Sequence, residues 1–194
     1  MEYHFKLRRF FSGFLKGTSD RIRWHTEWTI TKFHDPENTI SRLLKEGMPL
    51  AEAKLLYAKD YKGEVSWNHN VALNEGLQEL IDIICGLGTP TTWAHANASL
   101  GVGNGETAAG PTQTGLVGPS KAYAVADATY PARVNQTAEW RATFSAGVGT
   151  FDWHEYTVIN GADDTAKNLN RCLSDKGTKD AGDSWVLSVK ITFS

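Results

Sequence analysis

The chain predicts a mainly β fold: an antiparallel β-sandwich, or a barrel-like closure, with one packed amphipathic helix and a small helical hairpin inserted near the N-terminus. Three observations predict it. The C-terminal half repeats short runs that alternate apolar and polar residues between Gly, Asn and Asp turns: EWRATFSA, FDWHEYTVIN, NLNRCLS and SWVLSVKITFS. One long segment, at about residues 71–85, carries helical periodicity instead. The 194 residues are 41% hydrophobic and 22% charged, and 7 Trp with 8 Phe supply bulky core for one domain of ordinary size.

In chain order, residues 1–23 read as a basic, aromatic arm and 24–194 as a single β-rich domain. In RIRWHTEWTITKFH, Trp24, Thr26, Trp28, Ile30 and Lys32 alternate with His25, Glu27, Thr29, Thr31 and Phe33. Period two in β-branched and aromatic residues predicts a strand with cover on the face of Trp24 and Trp28. Asp35-Pro36-Glu37 ends that strand. The helical insertion follows at about 37–60, with Ile40, Leu43 and Leu44 on one face, Gly47 as a stop, and a second short helix from Leu50. GEVSWNHN returns to alternation. Leu73, Leu77, Leu80, Ile81 and Ile84 then step as one apolar stripe, which predicts a core helix plugging the β-structure, with Asn70 as N-cap and Gly86 and Gly88 at its end. Gly76 inside it costs about 1 kcal/mol relative to Ala, so its place implies close packing. SLGVGNGETAAGPTQTGLVGPSKAY reads as a short strand, a long surface loop and a second strand near Tyr123.

Charge and motif content narrow the function. Net charge is −2, which gives no electrostatic case for binding nucleic acid. The distribution is uneven: Lys6, Arg8, Arg9, Lys16, Arg21 and Arg23 against Glu2 and Asp20 give 6 − 2 = +4 within residues 1–24, leaving −6 for the rest. No run reaches the ~20 apolar residues of a membrane-spanning helix, and the mixed basic and aromatic N-terminus lacks the separate segments of a signal peptide. Cys85 and Cys172 are expected to be buried free thiols. Gly101-Val102-Gly103-Asn104-Gly105 lacks the GK[ST] ending of a phosphate loop and reads as a tight turn with close backbone approach. His4, His25, His34, His69, His95 and His154 show no HExxH and no helical i, i+4 pair, so no zinc site is expected. Asp163-Asp164 and the group from Asp180 to Asp183 fall in predicted turns, without the spacing of a calcium loop. Neither GxSxG nor a local Cys/His signature occurs. Most Trp residues, among them Trp28, Trp140, Trp153 and Trp185, stand at strand positions directed into the core. No catalytic residue, cofactor or metal is expected, and the protein is read as no enzyme. The arm is the most functional-looking feature. Phe5, Phe10, Phe11 and Phe14 would bury on a neighbouring subunit while Arg8 and Arg9 pair with an acidic surface.

The succession LNEGLQELIDIICG, NASLGVGNGETAAGPTQTGL, KAYAVADATYP, WRATFSAGVGTFDWHEYTVINGADDTAKNLNR and GTKDAGDSWVLSVKITFS resembles a group of tailed-bacteriophage virion proteins. The resemblance covers roughly Val65 to Ser194, with WRATFS, FDWHEYTVIN, NLNR and GTK its most specific parts; residues 1–62 match less clearly. Cys172-Leu173 stands where the group's pattern favours a basic residue and valine. The resemblance implies a structural particle component, located in the virion after synthesis in the host cytoplasm. Its implied partners are major capsid or tail proteins and further copies of itself, with no nucleic acid and no membrane. Capsid decoration is the favoured role. A tail, baseplate or tail-fibre component is the alternative, and a carbohydrate- or receptor-binding module the alternative of another class.

Overall fold

A computed structural model describes residues 23–194. In chain order the elements are β1 (Trp24–His34), α1 (Thr39–Lys45), α2 (Leu50–Leu56), β2 (Tyr61–Trp67), β3 (Val71–Ala72), α3 (Asn74–Cys85), β4 (Ser99–Gly103), β5 (Lys121–Val125), β6 (Ala132–Val134), β7 (Thr137–Phe144), β8 (Glu155–Ile159), β9 (Asn170–Leu173) and β10 (Asp183–Phe193). They form two antiparallel five-stranded sheets, ordered β2-β1-β10-β7-β6 and β3-β9-β8-β4-β5. The expected sandwich is therefore the architecture.

The first sheet is centred on the two longest strands. β1 and β10 pair over their full length, from Trp24 opposite Phe193 to His34 opposite Asp183. The ladder is extended by Arg23 N donating to Ser194 O at 2.7 Å and Ser194 N to Arg23 O at 3.0 Å. Alternation sorts the side chains as the sequence implies. Trp28 and Ile30 of β1, Trp140, Ala142 and Phe144 of β7, and Trp185, Leu187, Val189 and Ile191 of β10 meet Leu100, Val102, Tyr156 and Val158 of the second sheet in one core. Lys32 ends the inner row of β1: its Nζ lies 3.8 Å from the centre of the Trp185 ring and donates to Lys176 O. Burial outweighs the nearby Asp183 and lowers its pKa.

The opposite face of this sheet is covered by the helical insertion. Ile40 and Leu44 of α1 and Ala53 of α2 bury against Phe33 and Val186 as a second, smaller core. Asp35 directs the turn into α1, its carboxylate accepting from Ile40 N at 3.0 Å and Ser41 N at 2.8 Å. It thus satisfies amides that a helix start leaves unpaired, from a position outside the usual cap.

Three expectations about the central stretch need correction. The helix begins at Asn74 rather than near 71, and Val71 and Ala72 instead pair with β9, so Asn70 is not its cap; Leu73 occupies that position with no side-chain bond. Gly101 and Gly103 are not turn residues. They lie in β4, paired on both sides by β5 and β8. A Cβ on Gly101 would fall 2.6 Å from the Tyr123 ring, and one on Gly103 2.5 Å from Glu155 Oε1, so these positions are open to receive neighbouring side chains. Finally, α3 is not a buried plug. It meets the chain just ahead of β9 through Gly76, where a Cβ would stand 2.5 Å from Leu169 Cα. Leu73 is buried there, and Leu80 and Ile83 pack partly against the core.

Candidate functional site

Most buried ionisable groups are engaged in holding the fold. In β8, Tyr156 and Val158 face the sandwich core, whereas Glu155 and Thr157 point away from it: Glu155 lies under the long loop between β4 and β5, and Thr157 Oγ1 donates to Asn168 Oδ1 and Asn170 O. Glu155 is fully buried. Its Oε1 accepts from Gly105 N at 3.1 Å and Gly118 N at 2.7 Å, its Oε2 from Val117 N at 3.0 Å, and both Nε and Nη2 of Arg171 lie 2.7 Å from Oε2. Arg171 Nη1 continues to Thr107 O and Gln113 Oε1. One ion pair thus clasps both ends and the middle of the loop, and every carboxylate oxygen has donors. A carboxylate so engaged has no lone pair directed at open space.

A second ion pair ties the insertion to the sheet. Arg141 Nε donates to Asp127 Oδ2 at 2.8 Å, and Nη2 donates to Leu44 O and Met48 O at the α1–α2 turn. Asp127 also accepts from Thr143 N and Oγ1. Burial pushes the Asp127 carboxyl up, against Arg141 and Thr143, which favour the anion. Neither Glu155–Arg171 nor Asp127–Arg141 was read from the sequence, although a charged residue alternating among Trp153, Thr157 and Ile159, or Trp140 and Ala142, is the available signal. Trp153 itself is buried but precedes β8, so strand parity does not carry through it.

The remaining candidates disperse. Among the described residues no group of three or more His, Cys, Asp or Glu could hold a metal ion. His95 Nδ1 lies 2.8 Å from Tyr130 O, and His154 faces Glu106 and Asp175 at the surface. Asp163 caps its own turn through Thr165, and Asp164 binds the Tyr123 hydroxyl and Lys121 Nζ. Asp183 is no turn residue but begins β10 and takes Lys62 Nζ at 2.8 Å. An open polar hollow of ≈ 490 Å³ lined by His25, Glu27, Asn68, Thr137 and Lys190 has one Lys–Glu contact, at 3.9 Å, and no buried charge. None of the seven Trp is exposed; Trp67, half-buried, donates to Cys172 Sγ at 3.2 Å under Lys176.

The two thiols differ from the expectation of common burial. Cys172 is buried in β9, and burial pushes its thiol up to about 11. Cys85, the last residue of α3, is exposed. The reason is the way α3 sits.

Its apolar residues form two adjacent strips rather than one. Gly76, Leu80 and Ile83 face the domain. Leu77, Ile81 and Ile84, each one residue and roughly 100° further round, face solvent at 36%, 55% and 74% exposure, followed by Leu87 at 55%. Other exposed apolar residues include Val125 and Val134 on edge strands and Leu55 and Leu56 on α2. Isolated exposed apolar residues are ordinary, whereas a contiguous row marks an interaction surface. By helical spacing Glu75, Glu79 and Asp82 fall on the side of α3 away from the row, and α3 contains no basic residue. Glu75 also accepts from Asn168 N, and Glu79 from Thr91 N. This apolar ridge is the surface best suited to a partner. The arm residues Phe5, Arg8, Arg9, Phe10, Phe11 and Phe14 lie outside the described residues.

Comparisons with protein-family models, curated proteins and solved structures found no match.

Proposed function

We propose that the protein is a structural component of a tailed-phage particle that acts by protein–protein assembly, as a capsid decoration protein contacting capsid subunits and further copies of itself. The observation that carries the assembly part is the solvent-facing row Leu77, Ile81, Ile84 on α3, an apolar surface on a domain whose two buried ion pairs are committed to its architecture. The resemblance over residues 65–194 supplies the phage context. An interaction surface built on a rigid sandwich suits particle assembly, where binding depends on a fixed face rather than on a cleft. The half-buried or buried state of all seven Trp speaks against a sugar-stacking module.

Incubating the full chain with purified expanded capsids tests this reading. A decoration protein binds at stoichiometric occupancy, and deletion of residues 1–20 abolishes binding. Full binding by the truncated protein would remove the arm from the mechanism. Density for the protein on the tail in images of intact particles, with none on the capsid, would replace decoration by a tail or baseplate role.

A further inference from the structure

We propose that the end of the sandwich bounded by Lys32, Lys62 and Lys176 is a binding site for an oxyanion of the phosphate class, free or carried as a monoester.

The three lysines come from separate elements and converge on one place. Lys32 stands on the inner face of β1, with Trp185 of β10 and Gly63 of β2 as its cross-strand neighbours. Two residues further along, alternation puts His34 and Asp183 on the same side as Lys32 and Trp185. Lys62 reaches that side as well, its Nζ lying 2.8 and 2.9 Å from the two oxygens of Asp183. Lys176, in the segment between β9 and β10, presents its carbonyl to Lys32 Nζ at 3.1 Å.

Two of these ammonium groups are held in place without being neutralised. Lys32 Nζ lies 3.8 Å from the centre of the Trp185 ring, and Lys176 Nζ 4.3 Å from that of Trp67. A ring face attracts a cation and fixes it, yet leaves N–H groups free to donate elsewhere. Among the described residues the carboxylates around them are otherwise engaged. Asp183 is taken by Lys62, with His34 at 3.4 Å. Asp180 acts on Lys179, Asp175 accepts from Gly177 N, and Glu64 pairs with Lys54. The imbalance is felt at Lys32. Burial lowers its pKa, Asp183 opposes that, and Lys176 and Lys62 add to the lowering.

An anion between these lysines would turn that repulsion into attraction, at a place where partial desolvation strengthens it. A phosphate group brings three strong acceptor oxygens, which suits donors arriving from different elements. The backbone leaves room for it: a Cβ on Gly63 or on Gly177 would meet no atom within 4 Å.

The test titrates the isotope-labelled full chain with inorganic phosphate, with sodium chloride at matched ionic strength as control and glycerol phosphate as the ester. The expected result is a saturable shift of the Gly63 and Gly177 amide signals in phosphate and none in chloride. Lys32→Met and Lys176→Gln should each weaken binding about tenfold or more, the loss of a hydrogen bond to a charged group. Lys190→Gln, on the exposed outer face of β10, should leave it unchanged. An otherwise unchanged amide spectrum checks the fold of each variant. Lys176 is only half-buried, so its variant decides the matter where Lys32→Met does not fold. Tighter binding of the ester assigns the site to a phosphorylated group, and tighter binding of inorganic phosphate to the free ion. Shifts that stay linear with concentration, that chloride reproduces, or that survive Lys176→Gln overturn the proposal.

Discussion

Replacing Glu155 by Gln leaves Arg171 buried without its counter-charge and weakens acceptance from three loop amides at once. Breaking a buried ion pair from one side costs about 3–5 kcal/mol, so Glu155→Gln should lower the urea midpoint sharply. Glu155→Gln combined with Arg171→Met should cost less than the two single changes added together, and strict additivity would show that the pair does not act as a unit. The thiols give a second residue-scale prediction. A thiol-reactive chromophore should modify Cys85 alone in the native protein and both cysteines after denaturation, because Cys172 is buried and its thiol stays protonated. Rapid modification of both in the native state would mean that β9 opens readily. The ion pairs were hard to see in sequence because alternation marks a side as outward without saying whether a loop returns to cover it. Glu155, Arg171, Asp127 and Arg141 lie on sides that the β4–β5 loop and the helical insertion close over. Both covers are tertiary and have no local period.

At the scale of elements, α3 is the informative case. Its stripe of leucines and isoleucines was legible, and so was the close packing at Gly76. What periodicity could not supply was which half of a wide apolar arc the rest of the protein covers. The answer comes from the backbone of Leu169 and Asn168, which approaches Gly76 so closely that the helix must present the 76–80–83 side. Gly76→Ala should therefore be destabilising by about 1–3 kcal/mol, the usual cost of overpacking, although Ala is the better helix former by about 1 kcal/mol. Thermal unfolding followed by circular dichroism would read this, and a raised midpoint would show that α3 can move away from β9 at little cost. The helix limits were less legible than its existence. Val71 and Ala72 fit the end of a helical pattern equally well, and only pairing with β9 makes them a strand. The glycines of β4 depart from their local pattern for a related reason. In isolation GVGNG reads as a turn, whereas here the absent side chains admit Tyr123 and Glu155.

For the whole molecule, stability should carry a pH signature. Lys179 is almost fully buried, with its ammonium donating to Ser145 O at 3.0 Å. Burial, partly offset by Asp183 and Asp180, pulls its pKa down to about 8 from 10.5. Below about 8 both the folded and unfolded chains hold this proton. Between about 8 and 10.5 the unfolded chain holds more, so the contribution of this group to stability rises with pH. Cys172 acts in the other sense. Its folded thiol keeps a proton up to about 11 that the unfolded chain loses from 9, so its contribution falls across that window. Urea unfolding at about pH 7 and about pH 10 should show wild type gaining on Lys179→Met, a comparison in which Cys172 cancels. An unchanged difference would mean that Lys179 titrates as an exposed lysine does. Fold class at this scale was the most legible property of all. The inward rows of β1, β7 and β10 follow from alternation alone, because their shared apolar face buries directly against the second sheet.

The hydrogen bonds between Arg23 and Ser194 have a mechanical consequence. They place the first and last described residues side by side at one end of the β1–β10 ladder. A force that separates those two residues peels the ladder open pair by pair from that end. A force drawing residue 23 along the axis of β1, as an arm held by a neighbour would apply, instead loads the bonds to β2 and β10 together in shear. A subunit tethered in this way would resist sliding far better than prising.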